Sequence, residues 1–181
     1  MTLSDTTIAV LALIVAVVVI AAAWAFQTAN RLDRLNVRVD LARGSLDAAL
    51  ERRAVVTRSI AAGMIAGYDD EVRAAGHQLA AAADQAEHAP PEAREQAENR
   101  VSALLALTDP AGRPQGLVVE LADAETRVMM ARRFYNDAVR DTRNLAERRL
   151  VRWLRLGGTA TLPNYFEITE RGAPTGDVAD A

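Results

Sequence analysis

Every position from 8 to 26 (IAVLALIVAVVVIAAAWAF) is apolar, a run of 19 residues without charge, proline or glycine. At about 1.5 Å per residue such a helix reaches roughly 28 Å, close to the hydrocarbon thickness of a bilayer. The pattern then turns from continuous to periodic. Apolar residues recur at Leu32, Leu35, Val39, Ala42, Leu46, Ala49, Val56 and Ile60, in alternating steps of three and four, with Arg53 in the one remaining slot. That spacing is the seam of a bundled or coiled helix. No breaker separates it from the apolar run, so one helix is expected from the bilayer-length segment to about Ala66.

Gly67 suits the C′ position of that helix. Asp69, Asp70 and Glu71 set negative charge at the start of a second, alanine-rich helix over about 70–88. Pro90-Pro91 interrupts the chain, and Pro91 fits the first position of a third helix running to about Leu107. The stretch 108–116, with two prolines and two glycines in nine residues, is a loop. A long fourth helix is expected over 117–150 or a little beyond, with a seam of Leu117, Leu121, Ala124, Val128, Ala131, Tyr135, Ala138, Thr142 and Leu145. Exposed pairs Asp123–Arg127, Arg133–Asp137 and Arg143–Glu147 support it at i,i+4, and Gly157-Gly158 end it. Residues 162–166 can fold back as an aromatic clip, and residues 167–181 form a polar, disordered tail. No stretch alternates with period two, so the chain is expected to be all-α.

The flanks of the apolar run carry its orientation. Before residue 8 the only charged side chain is Asp5, whereas Arg31, Arg34, Arg38 and Arg43 follow the run. Positive charge marks the cytoplasmic side, and Trp24 and Phe26 fit an aromatic belt at that boundary. A signal peptide would need a basic leader and a shorter core. The expectation is a cell-membrane protein with residues 1–7 outside, a span over 8–26 and the rest cytoplasmic. The lipid bilayer is then its first partner.

Composition narrows the function. A net charge of -3 argues against nucleic-acid binding. The chain has no cysteine, and its 21 basic residues are all arginine; with the abundant alanine, this reads as a coding bias. Aromatics make up 4%, so the core must be Ala, Leu and Val packed closely between helices. His77 and His88 lie roughly 16 Å apart along one helix, too far for one metal ion, and Asp84 with His88 reads as a solvated surface pair. Metalloprotease, P-loop, dinucleotide-binding and di-iron motifs are all missing. No catalytic residue, metal or cofactor is assigned, and the chain is not expected to be an enzyme.

The unusual side chains are polar ones near the seams. Arg53 occupies a core slot, and Glu120, Glu125, Arg132 and Asn136 lie on or beside the seam of the last helix. A buried charge needs a partner, so Arg53 is expected to pair with Glu125 or Glu120. Such a pair fixes register; the alternatives are a polar pocket for a ligand and a snorkelling arginine. Farther on, Arg148, Arg149, Arg152 and Arg155 interleave with Leu150, Trp153 and Leu154. Two readings stand: a basic segment resting on anionic headgroups, or a frayed helix end with Leu150 and Leu154 in the core.

Two stretches resemble the LemA family. Residues 34–62, RLNVRVDLARGSLDAALERRAVVTRSIAA, look like its first soluble helix, with a doubled arginine before an apolar run. Residues 120–141, ELADAETRVMMARRFYNDAVRD, resemble its last helix more closely, through ARRFYNDAVR at 131–140. NYFE at 164–167 matches the family's C-terminal element. The sequence departs from the family where a proline usually follows the last helix, since 147–153 reads ERRLVRW, and in lacking a tyrosine-prolyl element near Asp109-Pro110. The resemblance implies a short outer N-terminus, one span and a LemA-like, antiparallel, up-and-down four-helix bundle over 27–166, with no established catalysis. It also favours a reversal at Pro90-Pro91 over a simple kink, returning the Arg/Trp cluster toward Arg31 and Arg34. The expected function is a membrane-anchored scaffold or adaptor for an as yet unidentified protein, such as another membrane protein. The alternative is a lateral homo-oligomer that organises the membrane.

Overall fold

A computed structural model describes residues 5–110, 112–158 and 161–168, and among these there are helices and turns but no strand. The order is α1 (Asp5–Ile65), α2 (Asp70–Glu87), α3 (Pro91–Leu107), α4 (Gln115–Ala146) and α5 (Arg149–Trp153). The expected tail beyond residue 168, and the first four residues of the N-terminus, lie outside the described residues. α1 begins at Asp5.

α1 runs for 61 residues, as the lack of any breaker between the apolar run and the seam requires. Its N-terminal part is long and apolar enough to cross a membrane, and none of that stretch is covered by the rest of the chain. The described chain forms two compact units. One comprises the chain up to Leu41 with Asp137–Asn164, and the other Ala42–Asn136 with the segment from Tyr165.

In the second unit all four long helices supply one core: Val56, Ile60 and Ala61 from α1, Leu79, Ala82 and Ala86 from α2, Val101 and Leu105 from α3, and Leu121 and Ala124 from α4. The turn after α1 closes with the Gly67 N–H donating to the Met64 carbonyl at 3.1 Å. Asp69 then caps α2, its carboxylate accepting from the Glu71 and Val72 N–H groups. Such a cap contributes about 1 kcal/mol. At Gly76 α2 lies close against α1: an added Cβ would lie 3.0 Å from the Ala61 carbonyl oxygen and 2.9 Å from Ile65 Cγ1. At Pro90-Pro91 the chain reverses, and α2 and α3 pack on each other. Pro91 opens α3, where its missing N–H costs nothing. In the loop before α4, Arg113 donates to the Leu105 and Thr108 carbonyls, which the end of α3 leaves without helical partners.

In the first unit Leu32 of α1, Leu145 of α4 and Val151 of α5 form a small core. Here the expectation of a helix continuing through Leu150 fails. α4 stops at Ala146, Arg148 leaves the helical conformation with ψ 135°, and α5 starts at Arg149. The seam explains the break. It runs through Ala138, Thr142 and Leu145, so the next core-facing slots of an unbroken helix would be Arg149 and Arg152. Breaking the helix buries Val151 (2% exposed) instead. Leu150 and Leu154, core residues had the helix merely frayed, are exposed. The stripe on α1 is also wider than its seam: Leu50, Thr57 and Ala61 are buried as a second row.

Candidate functional site

The most deeply buried charges among the described residues belong to Arg53 and Glu98, 4% and 3% exposed. Arg53 Nη2 donates to Glu98 Oε2 at 2.5 Å and to the Glu98 carbonyl at 3.3 Å, and its Nη1 donates to Ser102 Oγ at 3.1 Å. The other carboxylate oxygen accepts from Arg94 Nε at 3.1 Å, and Arg94 Nη1 reaches back to the Glu87 carbonyl. Both oxygens of Glu98 are therefore held by guanidinium groups, which offsets the cost of taking the carboxylate out of water. Thr57 completes the site by donating to the Arg53 carbonyl.

This corrects the expected pairing of Arg53 with Glu125 or Glu120. Glu120 is exposed and takes the neighbouring Arg52 at 3.4 Å. Adjacent helical residues point about 100° apart, so Arg52 and Arg53 serve carboxylates on different helices: Arg52 that of Glu120 on α4, Arg53 that of Glu98 on α3. Glu125 and Arg132 are half-buried on α4. Glu98 escapes a reading of the sequence because glutamates count there as surface charge. The available signal is its spacing from Val101 and Leu105, which puts it in the seam of α3.

Asn136 does something different from pairing charge. Its Nδ2 donates to the Phe166 carbonyl at 3.0 Å, and its Oδ1 accepts from the Phe166 N–H at 2.9 Å. The side-chain amide thus mimics a strand partner and pins the aromatic clip expected from the sequence. Glu95 Oε1 accepts from the Glu167 N–H beside it. Tyr135, on the same α4 turn, is buried, and burial pushes its phenol up from the ordinary value, partly offset by Arg43.

Around the end of the apolar run, within the first unit, Trp24, Gln27, Arg31 and Arg34 of α1 face Leu145 and Arg148 across a notch of about 430 Å³. Arg152 and Arg155 line a second cavity, of about 220 Å³, with Asn36 and Thr142. Arg149 is exposed, and Trp153 is 80% exposed. Among the described residues Arg31, Arg148, Arg149, Arg152 and Arg155 have no ion-pair partner.

In the second unit an open groove of about 770 Å³ has an apolar floor of Met64, Val72, Leu104, Leu107 and Leu117, with Glu71, Asp109 and Arg113 at its edge. Nothing in the seams announces it, since Leu104 and Leu107 sit where α3 runs out into the loop. The His88 ring meets the backbone carbonyl of Asp84 through Nδ1, and the Asp84 carboxylate is taken by Arg58 at 3.3 Å. No three metal-ligating side chains converge among the described residues. Comparison with protein-family models, with curated proteins and with solved structures yields no match.

Proposed function

We propose that this chain is a single-pass, membrane-anchored four-helix bundle that acts without catalysis, as a scaffold or adaptor at the cytoplasmic face of the cell membrane. One observation carries the reading: the uncovered apolar stretch belongs to the same unbroken helix, α1, that supplies Val56, Ile60 and Ala61 to the helical core. A leader destined for removal has no use for such continuity. The LemA-like stretches at 34–62 and 120–141 support the antiparallel arrangement, and the arginines after residue 26 support a cytoplasmic body.

The partner-facing surface is the outward side of α4 in the second unit, where Val119, Met129, Met130 and Phe134 are exposed. Methionines with an aromatic are adaptable contact residues for an apolar helix face. The lateral-oligomer reading has its own observation. Gly44 and Ala48 on α1 are exposed, and a Cβ added at Gly44 would meet nothing within 4 Å, leaving room for a second helix to approach closely. Photo-crosslinking residues placed at Phe134 and at Ala48 in intact membranes separate the two. Capture of one foreign protein from Phe134 supports the adaptor, and ladders of self-products from Ala48 support the oligomer. Silence from both positions would overturn the scaffold reading.

A further inference from the structure

The notch beside the end of the apolar run brings three cations together with no acidic side chain among the described residues lining it. Arg31 and Arg34 come from α1 and Arg148 from the link between α4 and α5, and all three line one cavity with Trp24. Among the described residues, Arg34 uses only its Nε, donating to the Asn30 carbonyl at 3.2 Å. Arg31 and Arg148 have no partner among the described residues. The carboxylates nearest in sequence do not line the notch, and Glu147 is occupied by Arg143 at 3.2 Å. Like charges gathered in this way repel, yet the small core of Leu32, Leu145 and Val151 holds the end of α4 in place.

Position along α1 identifies the missing anion. Counting from residue 26, Arg31 lies about 7 Å and Arg34 about 12 Å along the helix axis. The headgroup layer of one leaflet is roughly 5–8 Å deep, so long arginine side chains at these positions end among lipid phosphates. Guanidinium groups grip phosphate oxygens in pairs. Trp24, at the boundary, is the amphipathic ring expected at headgroup depth. A volume of about 430 Å³ is that of a small-molecule site, and its lining includes Trp24 and Phe26 at the end of the uncovered apolar run.

We infer that the notch formed by Trp24, Arg31, Arg34 and Arg148 binds the phosphate-bearing headgroup of one anionic phospholipid. The inference rests on the membrane-anchored reading above and adds a specific lipid contact to it.

The test uses the full chain in nanodiscs of phosphatidylcholine with a minor fraction of phosphatidylglycerol, reading retained lipid by native mass spectrometry after a detergent wash. The wild type is expected to keep one phosphatidylglycerol in preference to phosphatidylcholine. Arg148→Gln should reduce that preference roughly five-fold, as loss of one arginine at a lipid surface implies. Arg148→Lys should restore part of it, and the triple change of Arg31, Arg34 and Arg148 to Gln should abolish it. Arg149→Gln, outside the notch, should leave it intact; an equal loss there would mean diffuse surface attraction and overturn the site. Inorganic phosphate added to pure phosphatidylcholine discs should not bind, and stoichiometric binding would identify a soluble-anion site instead. A wild-type chain that stays in the disc without any lipid preference overturns the inference alone. A chain that leaves the disc overturns the anchor as well.

Discussion

Glu98 is the residue on which the ion cluster turns, because two arginines converge on its carboxylate. Glu98→Ala would leave Arg53 buried without a counter-ion and is expected to destabilise the fold by about 3–5 kcal/mol. Arg53→Ala should cost about 3 kcal/mol, at the low end of that range, because Arg94 still holds the carboxylate. Denaturant unfolding of the detergent-solubilised chain, followed by circular dichroism, checks the order; a milder effect at Glu98 would contradict it. Gly76 makes an opposite point about helix propensity. Alanine is favoured over glycine in a helix by roughly 1 kcal/mol, yet Gly76→Ala drives a methyl against the backbone of α1 and should lose about 1–2 kcal/mol. Gly44→Ala, where the methyl meets open space, should gain stability in the same assay. The Arg58 guanidinium, hydrogen-bonded to Glu87, holds that carboxyl below its ordinary value of 4.5. Its contribution is present above that value and fades as the pH falls below it. Arg58→Gln should therefore lower stability in the neutral region, leave it almost unchanged well below that value, and so flatten the acid limb of the profile.

Among the elements, α5 has the least to hold it and the most to show. It is five residues long, too short to persist alone, and Val151 is its one buried side chain. The exposed Leu150, Trp153 and Leu154 between arginines leave an amphipathic segment without a cover. With the apolar run deleted, and Trp24 with it, Trp153 fluorescence should shift to the blue on adding anionic vesicles. About 0.5 M salt should abolish the shift, since screening is then nearly complete over a few ångströms. No response would remove lipid contact as the reason for its exposure. The helices themselves were legible from the periodicity: the starts of α2 and α3 follow from Asp69 and Pro91, and the buried face of α4 is the seam from Leu121 to Leu145. The end of α4 was not. A seam says which face is buried, but not that a helix will break rather than bury Arg149 and Arg152.

For the whole chain, the orientation of α1 decides where everything else acts. The sequence has no cysteine, so single introduced cysteines report without background. Thr2→Cys should react with an impermeant maleimide in intact cells, and Tyr68→Cys, at a fully exposed turn, should react only after lysis. The reverse pattern would place the helical body outside and remove the cytoplasmic scaffold. What the sequence hid at this scale is the pairing between helices. Periodicity marks each seam separately, while the choice of Glu98 over Glu120 depends on which helix each seam faces. The buried threonines bear on that choice. Thr28, Thr57 and Thr142 each return their hydroxyl to the carbonyl four residues back in their own helix. They ask for no particular neighbour and are silent in the recognition between helices. In the second unit, whose core is otherwise mostly aliphatic side chains that fit many registers, Arg53 and Glu98 act as an address label by which α1 and α3 identify each other. A sequence drifting freely at every other core position, within volume, could keep this fold as long as those two residues were read together.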